Sequence, residues 1–364
     1  MFDIKYSDAA LTVWEQHKAS SGLDHYAGIV SLQALARLGK IMKSEEILQE
    51  AKKALEPFWQ GKIPKAGGIY GDRIYRWGGN ATAFMVLRGM MPEAYDSLVA
   101  TADDLCKSQH RDSRGIFDMP NGNRNDHSEG FIWIDTVFGV CPFLLWTGLA
   151  AKREDFIDES CNQMLKHHEI LFNKDRKVYH QAINYWDPGK LTPSFWSRGC
   201  GWGALALAEM VYDLPKDHKD YPAILLAFQD LMEGCRNHMD GDGMLHQAME
   251  DHSSYVETSG TALVLYAMGR GIKNKSLDAD LYRDVFMRGL KGISRYIALD
   301  GSVFNCCQGC LAPGKGTTVD YANREWILND IHSFGPVMLL FSQAEQLQQV
   351  GIIPHLKDIY KERN

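Results

Sequence analysis

The chain reads as an all-α protein, an (α/α)6 barrel of six helical hairpins, on three observations. A short turn followed by an apolar or aromatic residue recurs as "GGIYG" (67–71), "RGIFD" (114–118), "RKVYH" (176–180), "DGMLH" (242–246) and "DGSVFN" (300–305). Its marker residues Tyr70, Phe117, Tyr179, Leu245 and Phe304 lie 47, 62, 66 and 59 residues apart, a period of supersecondary size. Most turns lead through a loop to an apolar segment rich in Gly and Ala, and a more polar segment with helical periodicity follows each.

The first unit is "HYAGIVSLQALARLG" (25–39) with "SEEILQEAKKALEPF". The second pairs "GGNATAFMVLRGMM" with "PEAYDSLVATADDLCKSQ", where Tyr95, Leu98, Ala102 and Leu105 share one helical face. "IDTVFGVCPFLLWTGLA" opens the third unit. The fourth and fifth pair "GCGWGALALAEMVY" with "YPAILLAFQDLMEGC", and "TSGTALVLYAMGRGI" with "LYRDVFMRGLKGISRYI". "IHSFGPVMLLFSQAEQL" is the sixth apolar helix, and its outer partner is either the N-terminal segment or "PHLKDIYKE". Helices apolar nearly all round belong inside, and amphipathic ones outside. A closed double ring follows because an open stack needs polar faces on its end repeats; an irregular α-solenoid is the alternative. Little in the sequence reads as strand, and a single barrel domain is expected over 1–364.

Of the 364 residues 45% are hydrophobic and 23% charged, with a formal net charge of −7, a globular composition with material for a large core. Lys and Arg are scattered, so no nucleic-acid or anionic-membrane footprint is expected. "CCQGC" (306–310) holds a C-x-x-C pair, but no second pair follows, and a turn with free thiols is expected rather than a metal site. The start has neither a basic nor an apolar signal region, and no uncharged apolar stretch reaches 18 residues, so the expected place is the cytoplasm, or the periplasm if a signal has been removed. The oligomeric state is not legible.

One stretch stands out. In "GFIWIDTVFGVCPFLLW" (130–146) the only carboxylate is Asp135. An unpaired buried carboxylate is costly and answers by raising its pKa or finding a partner. The competing reading makes Asp135 the N-cap of the third inner helix, which would lower its pKa. In a helical toroid the loops entering the inner helices converge on one end of the axis. Here those loops, such as "RDSRGIFDMPNGNRNDHSEGFIW" and "KVYHQAINYWDPGKLTPSFWSRGCGW", are long and rich in Trp, Tyr, His and Arg. Long loops of this kind carry function. Indoles suit stacking on sugar rings, and a guanidinium grips a carboxylate with two hydrogen bonds. Capping of the barrel core is the bland alternative.

"WIDTVFGVCPFLLW", "SFWSRGCGW" and "ETSGTALVLYAM", in that order, resemble the unsaturated glucuronyl and rhamnogalacturonyl hydrolases of glycoside hydrolase families 88 and 105. The resemblance implies an (α/α)6 barrel and removal of a 4,5-unsaturated uronic acid from lyase-derived oligosaccharides, without metal or organic cofactor. It implies that Asp135 is the catalytic acid, with Trp133 two residues ahead. Trp196, Arg198 and Trp202 fall on positions that line the family's sugar pocket, with Arg198 placed to meet the uronate carboxylate. His180 corresponds to a substrate-contacting His, and His127 lies near the place of another. The chain departs from the family in "HQAINYW" after that His, in Cys200, and in "YRWGGNATAF", where Asn80 stands near the place of a second essential Asp and Asp72 could reach in from the preceding turn. Two other readings stay open. An inverting glycosidase on the same toroid would pair Asp135 with Glu257, Asp126 or Asp72. A sugar-binding protein without turnover would need no pair.

Overall fold

A computed structural model describes residues 5–23, 25–61, 79–118 and 130–359. Its inner helices are α2 (Gly28–Met42), α4 (Gly79–Leu87), α6 (Asp135–Ala151), α8 (Ser197–Asp213), α10 (Thr258–Asn274) and α13 (Ile331–Gln349). The outer ones are α1 (Tyr6–Ser20), α3 (Glu45–Trp59), α5 (Tyr95–Ser108), α7 (Glu154–Leu171), α9 (Tyr221–His238) and α11 (Ala279–Ser294). Each inner helix packs on the next, and α13 returns to pack on α2, so the ring closes as expected. The sixth outer helix is α1, which packs on α13 and resolves the alternative left open by the sequence. Ser7 N donates to Glu345 Oε2 at 3.0 Å across this last hairpin.

The inner helices are buried on almost every side, as in α8, where fifteen residues from Ser197 to Val211 are covered. The outer helices bury one stripe. On α5 that stripe is Leu98, Ala102 and Leu105. Tyr95, expected in the same stripe, is the first residue of α5 and is exposed. Burying each such Leu or Val contributes about 1.5–3 kcal/mol. Side-chain caps fix several helix starts: Ser44 accepts from Ile47 N, Asp278 from Asp280 N and Asp330 from His332 N.

The recurring turn is a tight β-hairpin closing the end of an outer helix. Arg111 bridges Phe117, Phe172 pairs with Tyr179, and Ile297 bridges Val303. Each hairpin turns on a left-handed residue: Gly115 (φ 79°), Lys177 (φ 56°), Gly243 (φ 75°) and Gly301 (φ 86°). The fifth turn corrects the expected register. Val303 is 0% exposed and Phe304 37%, so the inward marker is Val303, one residue earlier, as strand alternation requires. The "GGIYG" turn lies outside the described residues.

Short ladders depart from the expectation of little strand. "HQAINYW" supplies β4 (Ala182–Asp187), flanked antiparallel by β1 (Ile132–Trp133) and β5 (Lys190–Leu191). β2 (Phe172–Asn173) with β3 (Val178–Tyr179), and β6 (Cys306–Cys307) with β7 (Trp326–Ile327), form two smaller ones. Their place is the end of the barrel where the chain enters the inner helices.

Candidate active site

The N-terminal ends of the inner helices gather Asp135 (α6), Asn80 (α4), Trp196 and Arg198 (α8), Glu257 (α10) and Asp330 (α13) around one mouth. Ile134 N donates to Gln181 O at 2.9 Å, which ties the entry of α6 to the β1–β4 ladder. Asp135 is the first residue of α6 and is buried. It does not cap the helix with its side chain, and its Oδ2 has no hydrogen-bond partner. Burial pushes its carboxyl up to about 7, although the Arg198 charge and its own N–H pull the other way.

Arg198 does not form an ion pair with Asp135 within 4.0 Å. Its Nη1 donates to Cys307 O at 2.7 Å and Ser259 Oγ at 3.3 Å. Its Nε and Nη2 have no partner, so one arm of the expected fork is occupied and the rest is available. Burial opposes its charge, and the Cys307 and Cys306 sulfurs with the Glu257 and Asp330 carboxylates outweigh that. Glu257 is fully engaged. It accepts from Gly260 N at 2.6 Å, Ser259 Oγ at 2.6 Å and Cys307 N at 3.0 Å.

The three pocket tryptophans are in the packed layer rather than on an open wall. Trp202 stacks on Phe138 with ring centroids 4.1 Å apart, one helical turn below Asp135. Trp196 lies between the Arg198 guanidinium (4.5 Å) and the Tyr321 ring (5.9 Å). Trp133 meets the Tyr185 ring edge-on at 4.8 Å. His180 engages Thr192 O through Nδ1 at 2.6 Å and Asn173 Nδ2 through Nε2 at 3.2 Å, with its ring against Phe195 at 4.7 Å. Burial lowers its pKa, so the ring is neutral near pH 7. Asn80 Nδ2 donates to Phe138 O at 2.7 Å, and its buried Oδ1 has no partner. A cavity of about 20 Å³ beside it is lined by Tyr26, Gln33 and Phe138. His127, Asp126 and Asp72 lie outside the described residues.

Three groups were not singled out by sequence. The Tyr26 hydroxyl meets His332 Nε2 at 2.8 Å, and His332 Nδ1 meets Asp330 Oδ1 at 2.6 Å. Burial, with the Arg198 charge, lowers His332 to about 4. The neutral ring therefore donates to Asp330 through Nδ1 and accepts from Tyr26 through Nε2. Burial lifts the Tyr26 and Tyr321 phenols well above their ordinary pKa, and Asp135 adds to the rise at both. The Tyr321 hydroxyl is buried without a partner, and its ring packs with Trp196, Cys307 and Leu311. "CCQGC" thus helps roof the mouth, and all eight cysteines are free thiols. Tyr26 is legible as an aromatic just ahead of an inner helix; Tyr321 sits in a polar stretch that gives no signal. The third, Gln181, is buried with both side-chain polar atoms unpartnered. The groups with metal-ligand spacing, Glu154–Asp158–His218 and Cys161–His218–Asp220, lie on the outer layer around α7 and the α8–α9 connection, away from this mouth.

The six hairpins close into a toroid whose mouth carries a buried carboxylic acid of raised pKa, Asp135. The chain belongs to Glycosyl Hydrolase Family 88, whose model matches residues 6–348. It is 25% identical over 177 residues to the unsaturated rhamnogalacturonyl hydrolase YesR of Bacillus subtilis strain 168, covering 49% of this chain and 49% of that one. It is 23% identical over 181 residues to an unsaturated 3S-rhamnoglycuronyl hydrolase of Formosa agariphila, covering 47% and 48%. The matched segments span about half the length of these curated relatives. The fold matches a family 105 glycoside hydrolase of C. acetobutylicum ATCC 824 with a TM-score of 0.80 at 19% identity, over 94% of this chain and 99% of that one. No helix among the described residues is long and apolar enough to cross a membrane.

Proposed function

We propose that residues 1–364 act as one catalytic unit that hydrolyses a 4,5-unsaturated uronic acid from the non-reducing end of lyase-derived oligosaccharides. The observation that carries this is Asp135: a buried carboxyl whose pKa rises to about 7, with Oδ2 unpartnered at the mouth of the barrel. An acid with that pKa is half protonated near neutrality, which is the range in which a general acid works best. The substrate ring contains a vinyl ether. The Asp135 proton goes to C4, positive charge develops at C5 and the ring oxygen, and water adds at C5. The ionised Asp135 takes the proton that water releases. The resulting hemiketal opens and expels the neighbouring sugar, so the enzyme ends as it began.

Arg198, with Nε and Nη2 unpaired, is assigned to the uronate carboxylate. Trp133, Trp196 and Trp202 are assigned to shaping the sugar subsite, His180 to substrate contact, and Asn80, through its unpartnered Oδ1, to a sugar hydroxyl. His127 is assigned to the mouth by resemblance alone. No metal or organic cofactor enters the proposed reaction. The curated relatives' names both carry a rhamnose-linked unsaturated uronate, so this linkage is the first substrate class to test. The eight free thiols suit a reducing compartment, which favours the cytoplasm over the periplasm. The pairing an inverting glycosidase would need is disfavoured at Glu257, whose oxygens are consumed by hydrogen bonds.

The test is a screen of lyase-digested pectin, ulvan and glycosaminoglycans, followed by loss of the ultraviolet absorbance of the conjugated enol acid. The parent protein should bleach at least one digest, and Asp135→Asn should bleach none. Turnover of a saturated glycoside, or full activity in Asp135→Asn, would overturn the assignment.

A further inference from the structure

The end of the barrel opposite Asp135 holds a second cavity, of about 380 Å³. Five of the inner helices, α2, α4, α8, α10 and α13, bring their C-terminal parts to it, and it is lined by Arg37 and Lys40 of α2, Arg88 just after α4, Tyr212 of α8, and Arg270 and Lys273 of α10. Five cationic side chains face two carboxylates, Glu209 and Asp213, which leaves a surplus of three positive charges in a chain whose formal net charge is −7. Glu209 takes Arg37 at 2.6 Å and Arg270 at 3.0 Å, and Asp213 takes Arg88. Among the described residues, no carboxylate lies within 4 Å of Lys40 or Lys273. Arg37 is 6% and Arg270 3% exposed, and the Nε of each has no hydrogen-bond partner. An unpaired guanidinium N–H is costly to bury, so this cationic cluster is under-satisfied as it stands.

Lys40 and Lys273 lie in the last turns of α2 and α10, where the helix dipole favours a cation, and this accounts for part of the set. Cations near helix C-termini are favourable, but among the described residues none of these five side chains hydrogen-bonds to a helix-terminal carbonyl. The Lys40 ammonium is held below its ordinary pKa by burial and then by the Arg88 and Arg37 charges, a field that the two carboxylates do not neutralise. Aromatic rings also line the cavity, each with one face covered by a guanidinium: Arg270 lies 3.5 Å from the Tyr212 ring and Arg37 4.4 Å from Phe84, which leaves Tyr212, 38% exposed, with its other face. Its volume is that of a small-molecule site.

We propose that this cup binds a sugar-sized molecule bearing a phosphate or sulfate ester, the oxyanion on Lys40, Lys273 and the arginines and the sugar face on Tyr212. The site is separate from the proposed hydrolysis, and its test does not depend on that activity. Calorimetric titrations would use glucose 6-phosphate, glucose 6-sulfate, inorganic phosphate and glucose. Saturable binding is expected for at least one of the two esters, which identifies the source of the charge. Its affinity should weaken by about tenfold or more when salt is raised from about 50 to 500 mM. Glucose should give no heat. The double variant Lys40→Glu/Lys273→Glu should lose about tenfold or more in affinity while keeping the parent's circular dichroism, and Asp135→Asn should bind as the parent does. If the double variant does not fold, Lys40→Glu alone, at a half-exposed position on the rim of the cup, should still weaken binding. Absence of saturable binding, equal binding of glucose, or binding untouched by the lysine substitutions overturns the proposal.

Discussion

Asp135 keeps its proton at the expense of stability, and this gives it two linked pH dependences. Its carboxyl titrates near 7 in the folded chain and near 3.9 unfolded, so between these values the folded state holds the extra proton. Stability from this group is therefore greatest below about pH 4, falls as pH rises toward 7, and is level above it, for a total on the order of 4 kcal/mol. Asp135→Asn removes the penalty. Urea unfolding should show the variant more stable than the parent at pH 8, with the difference vanishing toward pH 4; a difference constant in pH would contradict the assignment. The kcat/KM profile of the parent should likewise fall above about pH 7. Asp135 was legible because a lone carboxylate in an apolar run has few bland explanations. Gln181 and Tyr321 were not, since each becomes part of the mouth only through contacts far apart in the chain. The tryptophans were legible as site-lining types, but their depth was not, because Phe138, Tyr185 and Tyr321 cover them.

Among the elements, the site depends on how closely α8 and α10 approach. A Cβ on Gly260 would lie 2.5 Å from Ser197 C and 2.6 Å from Arg198 N, against backbone that cannot rotate away. Gly260→Ala should therefore push the start of α8 outward, cost about 1–3 kcal/mol by overpacking, and displace Arg198 from the mouth. Gly241→Ala is the matched control, with nothing within 4 Å of its added Cβ, and should change the melting midpoint little. A Gly260→Ala variant as stable and active as the control would show that the helices have slack. At this scale the sequence carried hairpin order and helix type, since both follow from periodicity. The inward residue of the fifth turn, Val303 rather than Phe304, was hidden because a one-residue strand shift leaves the composition unchanged. The β1–β4–β5 ladder was hidden because two-residue strands carry no periodic signal.

Ring closure was inferred from the absence of polar end repeats, and the structure adds a tie that no local pattern encodes. α2 and α8 stand three places apart in the six-helix ring, on opposite sides of the axis. Glu209 of α8 is buried between Arg37 of α2 (2.6 Å) and Arg270 of α10 (3.0 Å), and it also accepts from Gln33 of α2 (3.4 Å) and from the Tyr266 hydroxyl. One carboxylate thus joins both sides of the barrel. Replacing such a buried ionic set by apolar groups is often neutral, but removing only the anion leaves two buried guanidinium groups uncompensated. Glu209→Gln keeps the shape and removes the charge, and should cost about 3–5 kcal/mol in urea unfolding. Because the tie spans the axis, the loss should appear as a shift of the whole transition toward lower urea rather than as a separate early phase from one hairpin. A loss below about 1 kcal/mol would mean that the ring is held by apolar packing alone; a separate early phase would mean that Glu209 secures only its own neighbours.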